Sequence, residues 1–417
     1  MDFNAKTSAI VRKKPLVLHI TNIYPTVYKK GNPIIKKIIE TISSKGIFDQ
    51  LVVVPVKTVY PMKLKIVENI QSLDIREIII PVFGMPYGIM ILSRLFLSAR
   101  KIHSILSSRN IITKVALIHA HTLLSDGFIA YHLWKKYKIP YIVSVRSTDV
   151  NEQLKYILYV RPIAKKIIAG ASKVICITPT IKHSLKKYLK INNYSSKILV
   201  VTTGIEKSFF VGPQKISEVR GNSIKRLIFV GNLIKLKNLH RVIYAIKEVI
   251  DKGLNLKLTV IGDGPEKGKL ERLVSRLGLE KHVVFLGYKP HSEVINIMKE
   301  HDIFILASIK ETFGLVYLEA LSQGLPIIYS SGTGVDQVFN HKIGEPCIPN
   351  DVDSIASAIE RVLENHEFYK KEVKKFLESE AQHFMIDQVA EEYQSIYKDV
   401  LEVWQSDRLL NNNNYKE

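Results

Sequence analysis

Cysteine is almost missing from this chain: Cys176 and Cys347 are the only two in 417 residues. They form no CxxC pair and no disulfide framework, which fits a reducing compartment. Long apolar runs are missing as well, and no stretch reaches the ~20 residues that cross a bilayer. The start, Met1 to Lys14, is polar. The run Leu16 to Ile20 is short and carries His19, so it reads as a first β-strand and not as a signal-peptide core. The first strand-to-helix turn, Thr21 to Gly31, has no GxGxxG, which argues against a dinucleotide-binding dehydrogenase. Basic residues are not interleaved with stacking aromatics and no helix-turn-helix is visible, which argues against a nucleic-acid-binding module. These absences predict a cytoplasmic globular protein with no nucleic acid as partner.

Acidic residues are scarce in one half only. Residues 1–210 hold 33 Lys+Arg and 10 Asp+Glu, a net +23, whereas residues 211–417 hold 27 and 29, a net −2. Frequent lysine in an Ile/Lys/Asn-rich chain explains part of the excess but not its one-sidedness. A basic first half predicts an anionic partner, such as an acidic membrane surface or a phosphorylated substrate. The segment Gly88–Arg109 adds to this. It places Ile91, Leu92, Leu95, Phe96, Ala99, Ile102 and Leu106 on one helical face, with Arg94, Lys101 and Ser104 opposite. A core helix packed on a sheet would carry the same pattern.

At 46% hydrophobic, a chain of this length is comfortable for two cores. Short apolar runs alternate with helical patterns throughout. In the first half the runs are Pro15–Thr21, Gln50–Val56, Glu77–Phe83, Val115–His121, Pro140–Val145, Val174–Thr178 and Ile198–Thr202. In the second they are Leu227–Val230, Leu256–Ile261, Val283–Leu286, Ile303–Ala307 and Pro326–Tyr329. Continuous runs of this length suit parallel strands buried on both faces. Helices are predicted at Pro33–Lys45, Leu239–Lys252, Glu266–Leu277 and Val294–Glu300, with Gly253 and Gly278 as C-caps. The fold class is α/β, with two Rossmann-like, doubly wound domains facing a cleft. The expected division is 1–207, a linker at 208–225, a second domain at 226–386, a helix at 387–410 and a disordered tail at 411–417.

Ligands of such sheets bind at loops that follow strands, and four junctions of the second half carry unusual residues. Phe229-Val230-Gly231-Asn232-Leu233 precedes Lys237-Asn238. A lysine at a helix N-terminus opposes the helix dipole and points to a bound anion, although a solvated lysine fits too. Ile261-Gly262-Asp263-Gly264-Pro265 allows close backbone approach, and is also ordinary turn chemistry. The most specific junction runs Ser308-Ile309-Lys310-Glu311-Thr312-Phe313-Gly314-Leu315-Val316-Tyr317-Leu318-Glu319-Ala320. The amides of Phe313, Gly314 and Leu315 open a helix as a phosphate cradle. Glu311 and Glu319 flank it, and two such carboxylates are costly unless they bind something. Leu315, Val316, Leu318, Ala320 and Leu321 are expected to be buried. Ser331-Gly332-Thr333-Gly334-Val335-Asp336 is a fourth glycine-rich loop.

These junctions resemble the C-terminal domain of the retaining GT-B glycosyltransferases of group 1, whose E-x7-E motif is here Glu311 to Glu319. The likeness covers residues 15 to 400. In the first half it rests on Ile118-His119-Ala120-His121, Asp126-Gly127, Ile139-Pro140-Tyr141-Ile142-Val143 with Asp149, and Thr203-Gly204-Ile205-Glu206 at the hinge. The resemblance implies transfer of a hexose or hexosamine unit from a nucleotide-diphosphate sugar, UDP above all, with retention, to a glycan or lipid-linked acceptor in the making of surface polysaccharide, lipopolysaccharide or capsule. It implies that Glu319 holds the ribose, and that Glu311 and the Phe313–Leu315 amides hold donor sugar and phosphates. Lys237 neutralises the leaving diphosphate, Gly231, Asn232, Gly262 and Gly31 lie on the donor, and Asp149 lies on the acceptor side. It also implies a C-terminal helix returning toward the first domain. Asn232 stands where the family often has arginine, and Arg146 stands where it often has a cleft histidine. An arginine stays protonated and is no general base, so Arg146 would bind a phosphate or an anionic acceptor.

No cofactor and no metal are expected. Asp351-Val352-Asp353 has the spacing of a metal-binding DxD but reads as an N-cap for a helix near Ser354. His119 and His121 have no third ligand at metal spacing in the sequence. His119 reads as core, and His121, ending a strand at the cleft, as core or substrate contact. A phosphorylase or epimerase of the same fold is a further reading.

Overall fold

The computed structural model describes residues 14–58, 65–70, 75–84, 91–210 and 225–413. Its first sheet contains β1 (Leu16–Ile20), β2 (Asp49–Thr58), β3 (Val67–Ile70), β4 (Arg76–Phe83), β5 (Val115–Ala120), β6 (Tyr141–Val145), β7 (Lys173–Cys176) and β8 (Ile198–Val200), in the order β3-β4-β2-β1-β5-β6-β7-β8. The second contains β9 (Lys225–Val230), β10 (Leu256–Ile261), β11 (Val283–Gly287), β12 (Ile303–Leu306), β13 (Ile327–Ser330) and β14 (Gly344–Cys347), in the order β11-β10-β9-β12-β13-β14. Every strand predicted from an apolar run is present within a few residues. Val17, Leu18, Ile20, Val52, Val53 and Val54 are fully buried, as expected for strands covered on both faces. Two edge strands escaped the sequence reading. β3 is antiparallel to β4, and β14 contains Gly344 and Pro346, which an edge strand tolerates.

Helices connect the strands. α1 (Pro33–Ser44) begins where the Asn32 side chain accepts the Ile34 N–H at 3.0 Å, with proline at the first helical position. α2 (Ile91–Ser108) buries Ile91, Arg94, Leu95, Ser98, Ala99, Ile102 and Leu106. Its core-facing stripe is therefore narrower than the predicted face, because the i, i+3, i+4 repeat starting at Ile91 passes through Arg94. Leu92 and Phe96 stay exposed, and Leu97 beside them. The expected N-terminal turn of this segment, 88–90, lies outside the described residues, as do most of the expected linker and residues 414–417. The later helices are α3 (Ser125–Tyr137), α4 (Arg161–Gly170), α5 (Pro179–Leu189), α6 (Leu239–Asp251), α7 (Lys267–Arg276), α8 (His291–Met298), α9 (Leu315–Ser322), α10 (Val352–Glu364), α11 (His366–Ser379) and α12 (Ile386–Asn413). Asp351 caps α10 through its side chain to the Ser354 N–H, 3.2 Å, as its position predicted. Gly253 and Gly278 have φ of +88° and +66°, as C-caps require.

The chain forms two compact units: Met1–Ser144 with Pro162–Val174 and Tyr393–Glu417, and Val145–Arg161 with Ile175–Glu392. The last helix thus returns to the first unit. There it buries Tyr393, Ile396, Tyr397, Val400 and Leu401, and the Gln394 amide donates to the Ile42 carbonyl at 3.2 Å. Among the described residues no helix is long and apolar enough to cross a membrane.

Candidate active site

In a doubly wound sheet, a crevice opens where the strand order reverses, because the loops leaving the two central strands go to opposite faces. In the second unit that point lies between β9 and β12, which pair in parallel. The loop after β9 carries Gly231, exposed Asn232 and a 3-10 turn, Lys235–Lys237. Asn238 follows in the left-handed region, φ +61°, and its buried side-chain amide donates to the Ala307 carbonyl at 2.9 Å and the Pro349 carbonyl at 2.5 Å. This fixes Lys237 over the reversal point. Its ammonium meets the Glu311 carboxylate, from the loop after β12, at 2.5 Å. Lys237, expected to face a bound anion, is thus paired with a carboxylate of the protein itself.

The loop after β12 is tied to the loop after β13. The Glu311 N–H donates to the Thr333 hydroxyl at 2.9 Å, and that hydroxyl donates to the Glu311 carbonyl at 2.8 Å. Gly314 then enters α9 at φ +87°, and a Cβ there would lie 2.7 Å from the Tyr317 ring and 3.0 Å from Glu311 Cγ. Only glycine fits both the backbone angle and the space. The Phe313, Gly314 and Leu315 amides expected to form a phosphate cradle lie at the start of α9, the turn whose first N–H groups a helix leaves without i−4 partners. Phe313, Leu318, Ala320 and Leu321 are buried, whereas Leu315 and Val316 are half-buried, contrary to expectation. Tyr317 takes the core position, with its hydroxyl on the Leu306 carbonyl at 2.6 Å.

Glu319 also has a histidine neighbour that the sequence reading missed. His291, the first residue of α8, contacts its carboxylate at 3.0 Å. The hydrogen bond to Glu319 raises the His291 pKa above its ordinary value, with burial acting in the opposite sense. The Phe209 ring stands edge-on to His291, centroids 4.8 Å apart. Gly262 closes the neighbouring turn at φ +139°, where a Cβ would fall 2.0 Å from the Gly231 carbonyl oxygen. Both carboxylates thus have partners within the protein, Lys237 for Glu311 and His291 for Glu319.

Arg146 and Asp149 lie just after β6, and both are buried. The Asp149 carboxylate accepts the Arg146 backbone N–H at 2.8 Å, and the Asp149 N–H donates to the Arg146 carbonyl at 3.0 Å. Asp149 opens a π-helical turn, Asp149–Leu154, a conformation concentrated at functional sites. Glu152 on this turn pairs with Lys310, the neighbour of Glu311.

In the first unit the strand order reverses between β1 and β5, and His19 and His119 are register partners there. His121 follows β5 directly. His19 is therefore the third histidine that sequence spacing did not offer, with donor nitrogens of all three residues within 4.8 Å of one another. The rings are already hydrogen-bonded. His19 Nδ1 lies 3.0 Å from His121 Nε2 and His19 Nε2 lies 2.6 Å from the Gln50 amide oxygen. His119 Nδ1 is 2.7 Å from the Tyr397 hydroxyl and its Nε2 is 2.9 Å from the Ser144 hydroxyl, so His119 is a core residue as expected. Burial holds His19 down at about 4, so it is neutral at pH 7. Gly31 ends the loop after β1 at φ +46°. That loop is held to α3, since the Asp126 carboxylate accepts the Asn22 N–H at 3.1 Å, the Asn22 amide at 3.0 Å and the Thr122 hydroxyl at 2.9 Å.

Residues 65–209 match the family described as Glycosyltransferase Family 4, and residues 215–378 match Glycosyl transferases group 1. The chain is 27% identical to an uncharacterised glycosyltransferase of Methanocaldococcus jannaschii, over 70% of this chain and 77% of that protein. It is 27% identical to a Bacillus subtilis protein assigned to teichuronic acid biosynthesis as the glycosyltransferase TuaC, over 62% of this chain and 63% of that one. Among solved structures it is similar to Anabaena HepE in complex with UDP and glucose, with a TM-score of 0.62 at 16% identity, covering 92% of this chain and all of that one.

Proposed function

A chain that carries both domain types on a GT-B fold is a glycosyltransferase of group 1, and from this premise we propose that it moves a hexose or hexosamine unit from UDP-sugar to a glycan or lipid-linked acceptor, with retention. The observation that carries the reading is the pair of carboxylate contacts, Lys237–Glu311 and His291–Glu319, around the amides that open α9. When a nucleotide sugar leaves its diphosphate, negative charge grows on the phosphate oxygens. Lys237 and the Phe313–Leu315 amides are the groups of this chain that meet such charge, without a metal ion. Glu311, held by Thr333, turns toward the donor sugar hydroxyls as Lys237 turns toward phosphate. Glu319 accepts from the ribose hydroxyls and keeps its contact with His291. Residues 226–386 form the donor domain and residues 1–207 the acceptor domain, where Arg146 takes a phosphate or an anionic acceptor group.

The acceptor belongs to a surface polysaccharide, lipopolysaccharide or capsule, and the enzyme works at the inner face of the plasma membrane as a peripheral protein. Supporting this are the net +23 of residues 1–210 and the likeness to TuaC. On α2, exposed Leu92 and Phe96 are followed four residues on by Arg100, whose guanidinium lies 5.6 Å from the Phe96 ring centre. That combination suits a membrane interface. The test is thermal stabilisation by a panel of nucleotides. UDP at a hundredfold excess over its Kd should stabilise the protein by about 2.7 kcal/mol, and Glu319→Ala should reduce the shift without unfolding the protein. Equal nucleotide affinity in Glu319→Ala would remove the assignment.

A further inference from the structure

His121 stands at the reversal point of the first sheet, yet a neutral imidazole there could present either a proton or a lone pair to a ligand. The direction of a buried hydrogen-bond chain decides between them. The chain starts at a group that can only accept, the Phe48 carbonyl, which takes the Gln50 side-chain N–H at 3.2 Å. A reversed amide would set two oxygens against each other, so Gln50 must turn its oxygen to His19 Nε2, 2.6 Å away. His19 Nε2 therefore carries the hydrogen. The ring is fully buried and neutral, so its Nδ1 holds a lone pair. The neighbour of that lone pair at 3.0 Å is His121 Nε2, which must donate.

We propose that Gln50 and His19 are positioning residues that hold His121 as its Nε2–H tautomer, so that Nδ1 acts only as a hydrogen-bond acceptor. The ligand group that suits such a nitrogen is a hydroxyl or another N–H or O–H donor; a phosphate or carboxylate oxygen does not suit it. Resting on the proposed transfer reaction, this assigns His121 to a sugar hydroxyl and not to an anionic group. The same three histidines suggest a metal centre by proximity alone. Against that, both His119 nitrogens are engaged by Tyr397 and Ser144, and His19 and His121 contact each other at hydrogen-bond distance.

The test is long-range proton–nitrogen NMR on the full-length protein labelled with [15N]histidine, with signals assigned through His19→Gln and His121→Gln. The wild-type spectrum should show His121 with a protonated Nε2 and a lone-pair Nδ1, and His19 likewise. Gln50→Leu should leave His121 in a mixture of tautomers and lower kcat about tenfold with the donor KM unchanged. A protonated Nδ1 on wild-type His121, or an unchanged tautomer in folded Gln50→Leu, overturns the proposal. So does stoichiometric Zn²⁺ binding that shifts all three histidine signals. The wild-type spectrum needs no variant to fold. It also stands apart from activity: if no nucleotide sugar is turned over, the transfer reading fails and the tautomer assignment is judged on the spectrum alone.

Discussion

Replacing Asp126 by asparagine should change how the stability of the first unit depends on pH. The carboxyl is fully buried at the start of α3, and burial pushes its pKa up to about 6 against the pull of the hydrogen bonds from Thr122 and Asn22. In the unfolded chain it titrates near 4. A carboxyl that binds its proton more tightly in the folded state stabilises the fold fully below about pH 4 and loses that contribution as pH rises through about 6. Two pH units correspond to about 3 kcal/mol. Asparagine has no such titration, and its single oxygen can still take both Asn22 donors. The stability of wild type relative to Asp126→Asn should therefore fall by about 3 kcal/mol between pH 4 and pH 7. Urea unfolding at four pH values measures it. The signal is selective, because Trp134 and Trp404, the only two tryptophans, both lie in the first unit. A difference that is flat with pH, or that favours wild type as pH rises, would refute the argument.

Three further outcomes are expected. Lys237→Ala should lower kcat about 10²–10³-fold, as loss of one charge-stabilising group does, while wild-type transfer persists in excess EDTA; abolition by EDTA with rescue by Mn²⁺ would contradict both. Gly314→Ala, forced into a left-handed angle against the Tyr317 ring, should cost about 1–3 kcal/mol in thermal unfolding and remove stabilisation by UDP. Co-sedimentation with vesicles should require anionic lipid, weaken with salt, and drop several-fold in Phe96→Ser; protein left in the supernatant at low salt excludes the membrane surface as partner.

The strands were legible because each is a continuous apolar run, and α10 because its cap is local. Glu311 and Glu319 were legible because motif and helix lie in one stretch. What could not be read was contact across the sheets. Lys237 and Glu311 are separated by 74 residues, and the β9–β12 pairing and the Asn238–Ala307 hydrogen bond bring them together. His19 reaches His121 across 102 residues through the β1–β5 pairing, which spacing along the chain does not encode. His291 was missed because the helix that it opens was read as starting at Val294. On α2 the apolar positions outnumber those the stripe can bury, so composition alone did not say which leucine faces inward. β3 and β14 were missed because edge strands need neither long apolar runs nor freedom from glycine and proline.

The return of the last helix has a consequence for biosynthesis. His119 receives its Tyr397 hydroxyl from 278 residues further along the chain. At a synthesis rate of roughly 5–20 residues per second, that partner is made about 14–56 s after the histidine. Until then the nascent first sheet exposes the apolar face that Tyr393, Ile396, Tyr397 and Val400 will cover. The second unit can assemble most of its core while the first waits. Removing the chain from Tyr393 onward should thus leave a protein whose earlier-made half is the one that aggregates.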